Sequence, residues 1–313
     1  MRLSLKLFSK LAIITALCIW QAGCADSDAS QTQGDAQQSN EMANQTPAEQ
    51  GPIRFGLVPS EGGTDIVERF KPMITQLEQE LGRPVEAFSA TEYLGIITAM
   101  QNKQVDLVYL GPKSYVEASR IAGAVAIVKE LNLEGLEGYF GIIITNKSTG
   151  IKTLADAKGH SFGFTTPNST SGYLIPAIGI VDETGMPAEA YFSQVQYTGT
   201  HGNAVRAVLA GDLEVAATNT LDLRAMERAG LDASELVEIW RSPIIPASLI
   251  AVRDDLPMEF RDQVTEALVK LNEDHQAMET MSRGGFVPAT DEEYDIIRVL
   301  EQRKAEMAAA SDG

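Results

Sequence analysis

The sequence predicts an α/β fold made of two lobes of similar plan, each a mostly parallel sheet flanked by helices. Three observations lead there. From residue 53 onwards, short β-rich runs alternate with helical patterns. A unit of polar loop, helix, strand and polar loop occurs twice at one offset. Tyr93 to Asp106 and His201 to Glu214 each span thirteen residues, and Tyr93 to Gly111 and His201 to Asn219 each span eighteen, so the copies lie 108 residues apart. Finally, two extended apolar stretches, residues 139–146 and 242–252, are placed to join the lobes, and Pro243 and Pro246 forbid a helix in the second.

Ahead of the lobes stands a leader. Arg2, Lys6 and Lys10 precede the apolar run "LAIITALCIW", which is too short for a permanent membrane span, and "QAGC" closes it with small residues. Residues 1–23 therefore read as a secretory signal. The ending resembles a bacterial lipobox with cleavage before Cys24 and lipidation of its thiol, although Gln21 stands where an apolar residue is usual. Cys18 and Cys24 are the only cysteines, so residues beyond Cys24 have no thiol for a disulfide, a metal or catalysis. Residues 24–52, rich in Gln, Ser, Asn, Asp and Ala, read as a lipidated N-terminus and disordered tether. The formal charge is −18, and losing the three leader cations leaves −21. That balance excludes nucleic acid and anionic lipid surfaces as partners, leaving the lipid anchor as the only expected membrane contact.

Within the body, "IRFGLV" (53–58) predicts a strand, Pro59 to Gly63 a loop, and "DIVERFKPMITQLEQELG" one amphipathic helix stopped by Gly82. "VEAFSA" and "VDLVYL" predict further strands around the Tyr93 helix. "YFGIIITN" is a fully apolar strand, after which "TLAD" is able to open a helix. Phe162 to Phe164 form a strand rising into "TTPNSTSG", and Leu174, Ile178 and Val181 line a helix closed by Gly185 and Pro187. Pro176 restricts where that helix starts, since a proline deep in a helix costs about 3 kcal/mol; a start at Ser171 or Gly172 leaves it in or just beyond the first turn. After "RDDLP" come a helix carrying Phe260, Val264, Leu268 and Leu271, then a last helix from about Asp291. Lobe one is expected over 53–142 plus 246–313 and lobe two over 143–245.

In open α/β sheets, ligands lie at the carboxyl ends of strands and the amino ends of helices. Ser169, Thr170 and Ser171 gather at such an end, where backbone N–H groups and the positive end of the dipole suit a small tetrahedral oxyanion. A simple N-cap needs only one hydroxyl. Thr200 and His201 open the second copy's helix opposite Tyr93, and Pro112 and Ser114 open another, with the N–H groups of Lys113 and Ser114 available. Catalytic readings fail. There is no G-x-S-x-G elbow, P-loop or G-x-G-x-x-G, and His160, His201 and His275 lack metal-ligand spacing. A Ser169–His201 pair with Asp182 or Asp222 as orienter has no supporting motif. No enzyme, no cofactor and no metal are expected.

"PNSTSGYLIP", "YLGPKSYVEA", "THGNAVRAVLAGDLEVAATNT" and "SPIIPASLIAVR" together resemble the PhnD-type phosphate/phosphite/phosphonate substrate-binding proteins of ABC importers, over nearly all of 53–300. The resemblance implies a two-lobed periplasmic-binding-protein fold of type II with two hinge strands, a monomer in the periplasm anchored through Cys24. Such a protein captures a small phosphorus oxyanion and hands it to a permease and its ATPase. Oxyanion sensing for a membrane kinase is the alternative. Carried over by position, ligand contacts fall on Ser169, Thr170, Ser171, His201 and Tyr93, with Ser114 and Asn219 at neighbouring mouths. Where some members have an aromatic before the glycine of "GPKSY", this chain has Leu110, with Tyr109 adjacent. Members that bind 2-aminoethylphosphonate place acidic residues at the positions of Leu221 and Ser248. A buried ammonium without a counter-charge is costly, so phosphite, methylphosphonate or phosphate is expected instead.

Overall fold

The computed structural model describes residues 51–60 and 65–311. The leader, Cys18, Cys24 and most of the tether lie outside the described residues, as do the positions 61–64 of the first loop. Lobe one begins with β1 (Ile53–Leu57), α1 (Asp65–Arg69), α2 (Lys71–Leu81), β2 (Val85–Ser89), α3 (Tyr93–Gln101), β3 (Leu107–Leu110), α4 (Pro112–Ala122) and β4 (Ala124–Leu131). The chain crosses into β5 (Gly138–Asn146) and β6 (Ser161–Phe164). A wide π turn (Thr170–Leu174) follows, then α5 (Ile175–Thr184), α6 (Ala188–Tyr191), β7 (Gln194–Tyr197), α7 (His201–Ala210), β8 (Val215–Asn219), α8 (Thr220–Arg228) and β9 (Leu236–Pro246). It returns through β10 (Leu249–Arg253), α9 (Met258–Lys270), α10 (His275–Met281), β11 (Gly285–Pro288) and α11 (Asp295–Ser311).

Two local expectations change. The single helix over 65–82 is two, broken at Phe70, because Pro72 in the first turn of α2 has no N–H to continue the ladder. "TLAD" opens no helix: the Asp156 carboxylate accepts the N–H and hydroxyl of Thr153 and the N–H of Lys152, which closes a turn instead. The second sheet begins at Gly138, a few residues before 143.

Both sheets are mixed. The first runs β11-β4-β10-β3-β1-β2 and the second β7-β6-β8-β5-β9. In each, the βαβ half is parallel (β2-β1-β3 and β7-β6-β8), and the strand arriving from the other lobe, β10 or β5, adds on antiparallel. The repeat therefore extends beyond the unit read from the sequence. β1 and β6 begin 108 residues apart, at Ile53 and Ser161; so do α3 and α7, at Tyr93 and His201; so do β3 and β8, at Leu107 and Val215. The two sheets share one strand order, arriving strand, third, first, second.

Ile142, Ile143 and Ile144 form an unbroken apolar run because β5 is covered on both faces. Ile143 packs with Phe162, Phe164, Ile180 and Phe192 on one side, while Ile142 and Ile144 pack with Val205, Val208 and Leu213 on the other. Lobe one has a single larger core around Phe55, Leu57, Phe70, Leu77, Ile97, Val252 and Leu268. Among the described residues no helix is long and apolar enough to cross a membrane.

Candidate functional site

Strand β6 delivers the chain to Ser169, whose extended backbone (φ −83°, ψ 138°) lets its hydroxyl accept the Gly172 N–H at 3.0 Å. The helix that follows starts one residue ahead of expectation, at Thr170, and starts as a π turn. The Leu174 N–H donates to Ser169 O at 3.1 Å, five residues back. Pro176 explains the widening. It has no N–H for the carbonyl of Gly172, four residues earlier, and that carbonyl instead accepts the Thr165 N–H at 3.0 Å. A β-carbon on Gly172 would lie 1.9 Å from Thr165 Oγ1, so only glycine fits this approach. The N–H groups of Thr170 and Ser171 head the turn and have no preceding turn to bond.

These hydroxyls face a small cavity of about 30 Å³, also lined by Val58, Ser60, Tyr93, Tyr109, Gly111, Ser114, Tyr139, His201, Asn219, Leu221, Asp222, Ser248 and Arg283. On that measure one water needs roughly 10–15 Å³, so the space suits a tetrahedral anion with a very small substituent. Ser169, Thr170, Ser171 and His201 are each at most 3% exposed.

The lobes meet around this cavity through buried hydrogen bonds. The Lys113 N–H, at the amino end of α4, donates to Thr170 Oγ1 at 2.9 Å, and the His201 N–H donates to Ser60 O at 2.8 Å. Ser114 Oγ donates to Asn168 O at 2.9 Å, and Ser60 Oγ donates to Asp222 Oδ1 at 3.1 Å. The last two bonds form a matched pair, since Ser60 and Asn168, and Ser114 and Asp222, are counterparts 108 positions apart.

His201 opens α7. Thr200 caps that helix by accepting the Asn203 N–H at 3.0 Å. The imidazole sits with Nε2 3.3 Å from Ser169 Oγ, Nδ1 3.2 Å from Thr218 Oγ1, and Nε2 3.9 Å from Asp222 Oδ2. Burial pushes it below its ordinary value, against the pull of Asp222. Burial also works against the Asp222 charge, but His201, the Arg69 and Arg283 guanidiniums and the Asn219 amide together hold that carboxyl below its usual range. Neutral imidazole beside ionised carboxylate is the consistent state near pH 7, because the two guanidiniums support Asp222 whether or not His201 is charged. Asn219 caps α8 by accepting the Asp222 N–H at 2.8 Å and donates its amide to Asp222 Oδ2 at 2.7 Å. It is thereby committed to holding Asp222.

Elsewhere on the cavity wall, burial raises the phenols of Tyr93 on α3 and Tyr139 on β5 well above their usual value and pushes Tyr109 on β3 up to about 12, so all three are neutral hydroxyls. Tyr109 donates to Glu130 Oε2 at 3.0 Å and accepts from Arg283 at 3.1 Å. Arg283 and Glu130, both 1% exposed at the side chain, pair directly through Nε and Oε2.

Of the residues singled out in the sequence, Ser169, Thr170, Ser171, His201, Tyr93, Ser114, Asn219, Leu221 and Ser248 all line the cavity. Leu110 does not. It is fully buried in the lobe-one core while Tyr109, one step along the strand and on its other face, reaches the cavity. Leu221 and Ser248 are not acidic, but Asp222, weighed in the sequence only as an orienter in a catalytic reading, shares the first turn of α8 with Leu221 and brings a carboxylate to the same cavity. Ser60, Tyr139 and Arg283 went unread. Among the described residues no group of three or more His, Cys, Asp or Glu is arranged to hold a metal ion.

Residues 55–294 match the family model for "ABC transporter, phosphonate, periplasmic substrate-binding protein". The chain is 29% identical over 241 residues to the phosphonates-binding periplasmic protein of Escherichia coli (strain K12), covering 75% of this chain and 71% of that one. It is also 29% identical over 272 residues to the phosphate-import protein PhnD of Mycolicibacterium smegmatis, covering 79% and 84%. Among solved structures, a binding protein component of an ABC phosphonate transporter from Pseudomonas aeruginosa superposes with a TM-score of 0.78 at 28% identity, covering 83% of this chain and 88% of that chain. The fold is shared as well by PhnD1 from Prochlorococcus marinus in complex with methylphosphonate, at a TM-score of 0.72 and 20% identity, covering 83% and 99%.

Proposed function

The chain belongs to the family of periplasmic substrate-binding proteins of phosphonate ABC transporters, and from that premise we propose that it captures one small phosphorus oxyanion, phosphite, methylphosphonate or phosphate, between its lobes for delivery to the permease. The observation that carries this reading is the cavity: about 30 Å³, lined from both lobes by three adjacent hydroxyls, an imidazole and neutral phenols. Dipoles and hydroxyls recognise the anion without a lysine at the seat. The names of the two relatives, one of phosphonates and one of phosphate, bracket the same ligand class.

Size supports a small substituent on phosphorus. Asp222 offers a carboxylate, yet the Arg69 and Arg283 guanidiniums already offset its charge, so an aminoethyl arm has neither the volume nor an unbalanced counter-charge. Anchoring through a lipidated Cys24 is part of the same proposal and rests on the leader sequence. Titration calorimetry of the mature protein with phosphite, methylphosphonate, phosphate and 2-aminoethylphosphonate tests the ligand; tightest binding of the last would overturn the size argument. Mass spectrometry of the membrane fraction tests the anchor, with an acylated Cys24 expected.

A further inference from the structure

Among the described residues that line the cavity, Asp222 is the one whose side chain accepts hydrogen bonds and, ionised, cannot donate them. Its two oxygens take one bond each from Ser60 and Asn219, which leaves lone pairs on both. An oxyanion seated on Ser169, Thr170 and Ser171 shares the cavity with this carboxylate. If every ligand oxygen were deprotonated, acceptor would face acceptor in a space too small for water to intervene, at the cost that like charges incur when buried together.

The charged and titratable groups around Asp222 do not remove that conflict. Arg69 on α1 is buried and stays cationic, though burial pushes it down to about 10. Arg283, before β11, is tied to Glu130 on β4 and to Tyr109 on β3. His201 on α7 is held neutral by burial, and Tyr93 on α3 and Tyr139 on β5 are neutral. Among the described residues around Asp222, two guanidiniums therefore balance two carboxylates before any ligand enters. One extra negative charge is what the hydroxyls, the helix-end amides and a shared proton can hold.

We propose that the site selects the singly protonated monoanion, with the ligand's own P–O–H donating to Asp222. This rests on the phosphorus-oxyanion reading above. Asp222 then acts as a specificity residue. It rejects tetrahedral dianions that carry no proton, such as sulfate, and it makes binding above the ligand's second ionisation consume a proton from solvent: dianion plus H⁺ gives the bound monoanion, with the hydrogen on the oxygen facing Asp222.

The experiment is titration calorimetry of the mature protein at pH 8.5 in two buffers of different ionisation enthalpy. The titrant is whichever of phosphite, methylphosphonate and phosphate binds tightest. These acids lose their second proton at roughly 6 or somewhat above, so the free ligand at pH 8.5 is the dianion. About one proton taken up per anion is expected, with affinity falling about tenfold per pH unit between pH 8 and 9. Asp222→Asn should lose the uptake and gain sulfate binding. His201→Gln should bind more weakly yet keep the uptake; its loss there would put the proton on the imidazole and overturn the proposal. Should Asp222→Asn not fold, the wild type and His201→Gln still decide. Binding without proton uptake removes this inference alone, whereas no binding of any of the three anions removes the proposed function with it.

Discussion

The two cavity walls are built by the same stretch of fold used twice, and they carry different chemistry. α3 and α7 begin 108 residues apart and aim their first residues at one space, but lobe one contributes Tyr93 where lobe two contributes His201. The loop after β6 offers three adjacent hydroxyls at a widened helix start. The described part of its counterpart after β1 offers Val58 and Ser60. Under the proposed function lobe two holds the anion's hydroxyl and imidazole donors, while lobe one supplies the phenols of Tyr93 and Tyr109 and the peptide groups that meet lobe two. A repeated backbone supplies two helix mouths; the side chains then divide the work. Where the halves touch, the repeat still shows, in the paired bonds Ser114 to Asn168 and Ser60 to Asp222.

The largest break of this comparison should come from lobe two's turn. Gly172→Ala sets a methyl 1.9 Å from Thr165 Oγ1 and 2.6 Å from its Cγ2, with Thr165 fully buried. The loop has to shift, at a cost near the upper end of about 1–3 kcal/mol for overpacking. A lowered Tm together with loss of most oxyanion affinity is expected, the first by calorimetric melting and the second by titration.

Next in size are the counterparts themselves. Ser169→Ala and His201→Ala should each weaken binding by about 1.5–3 kcal/mol, the range for hydrogen bonds to a charged group. Tyr93→Phe removes one neutral hydroxyl from the opposite wall and should cost about 0.5–1.5 kcal/mol. If Tyr93→Phe proves as damaging as His201→Ala, the division between donor wall and phenolic wall is wrong.

Acid should sharpen the same contrast. His201 is buried in the closed form and its pKa is lowered there, so closure binds fewer protons at this site than the open, solvated imidazole. The closure free energy is fully present above the solvated value of about 6.5 and is lost progressively as pH falls below it. Wild-type affinity should decline on that limb, and His201→Gln should be flat across it. Among the described residues His201 is the only imidazole that lines the cavity, so the acid limb is expected from lobe two.

How much of this was legible in the sequence depended on how local the signal was. Ser169 to Ser171, Tyr93 and His201 could be read because each opens a helix directly after a strand or polar loop, where short-range pattern decides. The widened turn at Thr170 was half legible: Pro176 marks the trouble, but the solution depends on Thr165 claiming the Gly172 carbonyl. Tyr109 rather than Leu110 follows from strand parity, which a family position could not supply. Asp222 was visible only as an orienter in a catalytic reading; its place at the cavity follows from extending the repeat, since it stands 108 positions from Ser114. Arg283 had no signal, since it reaches the cavity from a turn before β11 that only the assembled lobe brings near. The βαβ halves gave the parallel pairing; the antiparallel arrival of β5 and β10 follows from the crossings, which alternation alone does not orient.

The smallest expected effect lies outside the cavity and bears on what holds the lobes together. α11 follows lobe-one elements in the chain, yet its Arg303 pairs with Asp182 on α5 of lobe two, the two side chains 46% and 45% exposed. An ion pair so open to water contributes between zero and about 1 kcal/mol, and salt screens it. The cross-lobe bonds at the cavity are different: Ser60, Ser114, Thr170 and His201 are buried there, and each bond left unmade on closure would strand a desolvated group. Arg303→Ala should therefore leave oxyanion affinity within about threefold of wild type at physiological salt, measured by titration beside Ser114→Ala, which should cost more. A larger loss from Arg303→Ala would mean that closure is governed by the outer helix, and the two helix mouths would then bind the anion without also fastening the lobes around it.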